Sequence, residues 1–111
     1  MQLKYAMNGT TLVIRVAEDR IDAAGAIQFK ERMRDLIQMP CVRVILDLSQ
    51  VHFLDSSGLG AVVAVMKLLQ PDRKLELSGL TPTVEKVFRL TRMDSIFTIH
   101  SALAEGLRNA G

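Results

Sequence analysis

The sequence predicts an α/β fold in which a mixed β-sheet packs against α-helices, and three features carry that expectation. The chain opens on a β-hairpin pattern, then alternates helical and strand periods. Its middle holds a mostly β-branched or aliphatic run, Val42-Arg43-Val44-Ile45-Leu46-Asp47-Leu48. A hairpin followed by helix–strand alternation implies an antiparallel pair joined to parallel strands through helical crossovers.

Leu3 to Met7 is the first expected strand, Asn8-Gly9 the left-handed turn pair, and Thr11 to Val16 the second strand, rich in β-branched residues. From Ala23 the period becomes helical. Ala26, Phe29, Met33, Leu36 and Ile37 share one face, with Gln28, Glu31, Arg34, Asp35 and Gln38 opposite, and Pro40 ends the helix. The run Val42 to Leu48 reads as a central strand covered by helices on at least one face. Ser57 to Leu69 reads as the second helix, Pro71-Asp72 as a turn, and Lys74 to Ser78 as a strand. Thr81-Pro82 supplies an N-cap and first helical position, after which Val84, Val87 and Phe88 face inward. A short strand from Ile96 to Ile99 and a final helix from Ser101 complete the pattern. No linker, repeat or low-complexity stretch interrupts it, so residues 1–111 are expected to form one domain, the last few residues aside.

Composition narrows the function. With 111 residues, 49% of them hydrophobic, the chain can bury roughly two-thirds of its unfolded surface. Its 14 basic and 12 acidic residues are scattered, which argues against nucleic acid as the main partner. Cys41, the sole cysteine, cannot form an internal disulfide, suits a reducing compartment and reads as a packing residue. Met1 to Tyr5 lacks the pattern of an export signal, and Gly58 to Met66 falls far short of the ~20 apolar residues that span a bilayer. A cytoplasmic location without membrane insertion is expected.

Catalytic signatures are weak. His52 and His100 are expected as surface or capping residues, and with Cys41 they show no metal-ligand spacing; Glu18-Asp19-Arg20 reads as an exposed turn. No phosphate-loop pattern calls for a cofactor. Ser56 and Ser57 sit in no Gly-x-Ser-x-Gly elbow, so a hydrolase is disfavoured.

The most informative segment is Leu54-Asp55-Ser56-Ser57-Gly58-Leu59-Gly60, where a loop enters a helix. Side-chain oxygens of Asp55 or Ser56 can accept from the free N–H groups of the first turn, and the helix dipole favours an anion there, so a phosphate on Ser57 is well placed. An ordinary capped helix explains the same residue types. The helix that follows has no polar side chain from Gly58 to Met66. Leu59, Val62, Val63, Met66 and Leu69 are assigned to the core, leaving Gly60, Ala61, Ala64 and Leu68 either as a docking surface or beneath another helix.

Asp55-Ser56-Ser57-Gly58-Leu59-Gly60 resembles the phosphorylation motif of STAS-domain anti-sigma factor antagonists. The similarity extends to Ile21-Asp22-Ala23, to Val44-Ile45-Leu46-Asp47-Leu48 and to Leu80 through Phe88, and so covers essentially the whole chain. The resemblance implies a single STAS domain that regulates by binding rather than by catalysis. It implies that Ser57 is phosphorylated by a cognate anti-sigma factor with a GHKL-type kinase fold and dephosphorylated by a PP2C-like phosphatase. It also places Asp22 near the motif, a role compatible with the reading of Asp22 as the cap of the first helix. Asp22, Asp55, Ser56, Gly58, Gly60, Ala61 and Ala64 are the expected partner contacts. The competing reading of the same fold is an accessory STAS subunit of a transporter or signalling assembly that binds without a phosphorylation cycle.

Overall fold

The computed structural model describes residues 1–108. The elements are β1 (Leu3–Asn8), β2 (Thr11–Val16), β3 (Arg20–Ile21), α1 (Ala23–Leu36), β4 (Arg43–Asp47), β5 (Phe53–Leu54), α2 (Ser56–Leu69), β6 (Lys74–Ser78), α3 (Pro82–Leu90), a 3-10 turn (Met93–Ser95), β7 (Thr98–His100) and α4 (Leu103–Arg108). The main sheet runs β1-β2-β4-β6-β7, with β1–β2 antiparallel and every other pair parallel. The mixed sheet and the central place of β4 are as the sequence predicts.

Strand alternation sorts the residues between two faces. Val44, Leu46 and Leu48, together with Leu12, Ile14, Leu75 and Leu77, enter the main core with Phe29, Met33, Val62, Val65 and Phe88 from the helices. Arg43, Ile45, Asp47, Glu76 and Ser78 point to the opposite, back face, where α4 packs on β4 and β7.

Several local expectations are corrected. Asn8 pairs with Thr11, so the two-residue hairpin loop is Gly9-Thr10 rather than Asn8-Gly9. Gly9 has φ +63°, a conformation that glycine adopts without the penalty a Cβ brings. The last strand is Thr98–His100, two residues later at its start than the apolar run suggests. Thr81 precedes α3 as expected, but its hydroxyl donates to the Val51 carbonyl at 2.7 Å instead of capping the helix. Arg20 does not sit in a turn: it begins β3, which pairs in parallel with β5 to form a second, two-stranded sheet. His100 is not a surface residue. It is 5% exposed because it lies on the back face beneath α4, with Glu76 as its partner.

Helix α2 is rotated from its expected setting. Its buried residues are Gly58, Ala61, Val62, Val65 and Leu69, while Leu59, Val63 and Met66 are half-buried. Ala61 therefore belongs to the core, because α1 packs alongside α2 and widens the covered arc. The outward stripe is Ser57, Gly60, Ala64 and Leu68, at the spacing of one helix face.

Candidate functional site

The site is built where two short strands each run directly into a helix. In the β3–β5 pair, Arg20 lies opposite Phe53 and Ile21 opposite Leu54. The Asp19 carbonyl ties the strands together by accepting from the N–H groups of His52 and Phe53, at 2.7 and 3.2 Å. Ile21 and Leu54 are buried and anchor the pair to the core, so their alternating neighbours Arg20, Asp22, Phe53 and Asp55 face away from it.

One residue beyond the last register pair, both strands end in a helix cap. Asp22 Oδ1 accepts from the Gly25 N–H at 3.0 Å, and Asp55 Oδ1 accepts from the Gly58 N–H at 2.9 Å. Their backbones match closely, with φ/ψ of −100/−169° and −93/−173°. Both sequences read Asp-x-x-Gly, and both carboxylates satisfy the third free N–H of a first turn.

Gly58 brings the two caps together. A Cβ at this position would collide with the Ile21 carbonyl oxygen and lie 3.1 Å from Leu54 Cγ, so only glycine lets the first turn of α2 approach the end of β3 this closely. Gly58 is buried, and its part in the site is structural. Gly60 differs: it is exposed, and a Cβ there would meet nothing within 4 Å. Packing within the domain gives no reason for glycine at position 60.

Ser56 and Ser57 occupy the first two positions of α2 and are exposed. Ser57 stands at the head of the outward stripe, Gly60 follows exposed and Ala64 half-buried. Ser57 thus combines an accessible hydroxyl with the positive end of a 14-residue helix, a place that tolerates added negative charge. Of the residues the sequence singles out, the structure gathers Asp22, Asp55, Ser56, Ser57, Gly58 and Gly60 at one end of the β3–β5 pair. It leaves Ala64 a turn further along the stripe and withdraws Ala61 from the surface.

Sequence reasoning missed Arg20 and Phe53. The Arg20 guanidinium carbon lies 4.6 Å from the centre of the Phe53 ring, and its Nε is 3.4 Å from Asp22 Oδ2. Phe53 is 40% exposed, so this cation–π shelf borders the capped helix ends as open surface. The available signal was Phe53 two residues before Asp55: with Leu54 buried, period-2 alternation sends both outward.

Among the described residues no cluster of three or more His, Cys, Asp or Glu side chains could hold a metal, and no helix is long and apolar enough to cross a membrane. His52 pairs with Asp19 at 3.0 Å on the surface. The model of the STAS domain matches residues 2–106. The chain belongs to the STAS domain family. The anti-sigma-B factor antagonist of Listeria monocytogenes is 31% identical over 86 residues, covering 77% of this chain and 75% of the relative. Among solved structures, an anti-sigma factor antagonist from Mycobacterium paratuberculosis superposes with a TM-score of 0.87 at 21% identity, covering 96% of this chain and 91% of the other. The Bacillus cell fate determinant SpoIIAA in its phosphorylated form gives a TM-score of 0.72 at 23% identity, covering 99% and 100%. The last two establish likeness of fold, and the α/β architecture with a single mixed main sheet is that of the STAS domain.

Proposed function

We propose that this STAS domain is an anti-sigma factor antagonist whose binding is switched by phosphorylation of Ser57. In the unmodified state it binds an anti-sigma factor with a GHKL-type kinase fold through Asp22, Asp55, Ser56 and the outward stripe of Ser57, Gly60 and half-buried Ala64. That kinase phosphorylates Ser57 and is released, and a PP2C-like phosphatase restores the binding form. The domain acts in the cytoplasm as a binding module, with chemistry supplied by its partners. The observation that carries this reading is the exposed Ser57 hydroxyl at the start of α2, beside two carboxylate caps that Gly58 holds together.

Physical complementarity supports it. Gly60 and Ala64 allow close approach of a partner backbone, and the nearby Arg20–Phe53 shelf adds a cation and an aromatic ring to the rim. Capture of the protein from its native cells, followed by phosphopeptide mapping, tests the assignment. The expected result is an anti-sigma kinase bound to the unmodified form and phosphate on Ser57. Phosphate on Ser56, or undiminished phosphorylation of Ser57→Ala, would overturn it.

A further inference from the structure

The back face of the sheet carries a charged network that the partner site does not use. Arg43 on β4 donates from Nε to Glu76 Oε2 at 2.7 Å and from Nη2 to Glu76 Oε1 at 2.6 Å. The same Nη2 donates to the Gly106 carbonyl of α4 at 3.0 Å. His100 Nε2, on β7, lies 2.7 Å from Glu76 Oε1. Glu76 and His100 are 6% and 5% exposed, and α4 lies across this face, packed on β4 and β7.

The seat of α4 is unusual for a docked helix. Its buried residue is Gly106, where a Cβ would lie 2.8 Å from His100 Cδ2, 3.2 Å from His100 Cγ and 3.3 Å from Ile45 Cδ1. The helix backbone therefore rests on the imidazole ring, and the Arg43 guanidinium holds it by one carbonyl. Leu103 and Leu107 are only half-buried; Leu103 closes a groove of about 250 Å³ with Tyr5, Ala6 and Val13. A helix of six residues has no independent stability in water and depends on its seat. Beneath α4 the fully buried Ile45 is the apolar contact at Gly106, and its neighbours Arg43, Glu76 and His100 are charged or polar. Lifting α4 exposes Ile45 but returns Arg43, Glu76 and His100 to water, which solvates them well, whereas lifting a helix from a wholly apolar seat forfeits hydrophobic contacts alone.

We propose that α4 is a releasable strap: Gly106 latches it to the Arg43–Glu76–His100 network, and its lifting opens the back face while β1–β7 and α1–α3 remain folded. The latch lies on the opposite side of the sheet from the helical layer that contains Ser57, so it gives the domain a second conformational control point. The strap works independently of phosphorylation and of any partner's identity.

Amide hydrogen exchange on the whole protein, read residue by residue by NMR, tests this. In the wild type the α4 amides are expected to exchange at least about tenfold faster than those of β4 and β6, through opening of α4 alone. Gly106→Ala, which forces a methyl group against the His100 ring, is expected to accelerate the α4 amides about tenfold further and to leave Val44 to Leu48 unchanged. Arg43→Lys should act in the same direction, since one ammonium cannot hold both Glu76 oxygens and the Gly106 carbonyl in the guanidinium geometry. Equal protection of α4 and β4 in the wild type would overturn the proposal. So would a Gly106→Ala protein in which α4 exchanges as before, or one in which α4 and the sheet lose protection together.

Discussion

Asp22 and Asp55 stand at equivalent positions one residue beyond a pair of parallel strands, and each caps a 14-residue helix through the N–H of a glycine three residues on. The equivalence gives both carboxylates a structural task before any partner is considered. Replacement of either by alanine is expected to cost about 0.5–2 kcal/mol, measurable as a lower urea midpoint at unchanged slope. Asn at either position should recover most of the loss, because its amide oxygen can accept the same bond. If Asp22→Asn restores stability yet leaves partner affinity low, Asp22 contributes charge to the interface beyond its cap.

The two glycines of the motif are expected to respond in opposite senses. At Gly58 an added methyl meets the Ile21 carbonyl, so Gly58→Ala must push α2 away from β3 and should destabilise the domain by about 1–3 kcal/mol. At Gly60 the space is open, so Gly60→Ala should stabilise the helix by about 0.5–1 kcal/mol while weakening partner binding. Thermal unfolding and calorimetric titration on the two variants separate the effects. A stable Gly60→Ala protein with undiminished affinity would remove position 60 from the interface.

The contrast between these glycines shows what the sequence could reveal. The strand–helix order, the central β4 and the α1 core face were legible because each rests on a repeated period of apolar residues. The capped start of α2 was legible because Asp-Ser-Ser-Gly places capping oxygens there, whereas the reading of Ser57 as a phosphorylation site came from the family resemblance. The α2 face was not, since nine consecutive residues without a polar side chain give no phase, and the arc claimed by α1 decided that Ala61 is covered. β3 and β5 escaped notice because strands of two residues are too short to alternate visibly. His100 looked like a residue at a helix start, and only the register that brings β6 beside β7 reveals Glu76 as its partner.

Glu76 should give the fold a distinct acid response. The Arg43 hydrogen bond lowers its pKa below the usual 4.5; burial opposes this, and the His100 hydrogen bond adds to it. The charged groups facing it are Arg43 from β4 and His100 from β7; α4 contributes the Gly106 carbonyl and carries Glu105 and Arg108. Because the folded-state value is depressed, the ionised carboxylate stabilises the fold fully above about pH 4.5, and that contribution fades as pH falls through the lower folded-state value. Urea unfolding between pH 6 and pH 3 should therefore show a stability gap between wild type and Glu76→Gln that narrows on acidification below pH 4.5. A constant gap would mean that shape rather than charge is what Glu76 supplies.

Phosphorylation of Ser57 is expected to abolish partner binding through local charge and bulk, with the fold intact. A phosphoserine carries about −1.5 to −2 charges and would sit at the head of the Ser57–Gly60–Ala64 stripe, two residues from the Asp55 cap. In the free domain the N-terminus of α2 tolerates it, with a favourable dipole contribution of about 0.3–1 kcal/mol. In a complex that excludes water from the stripe, the phosphate loses hydration unless the partner supplies a cation, at a cost of several kcal/mol. Even about 2.7 kcal/mol lowers affinity roughly a hundredfold. Ser57→Asp, a partial mimic with one carboxylate, should bind weakly; Ser57→Ala should bind as the unmodified protein does. Ala64→Glu should also weaken binding, because half-buried Ala64 lies on the same stripe and an unpaired carboxylate there would be desolvated. Calorimetry of the unmodified, phosphorylated, Ser57→Ala and Ala64→Glu proteins against the proposed anti-sigma kinase, with circular dichroism of each, reads both binding and fold. Equal affinities of the phosphorylated and unmodified proteins would exclude the switch, and loss of the native spectrum on phosphorylation would exclude its local mechanism.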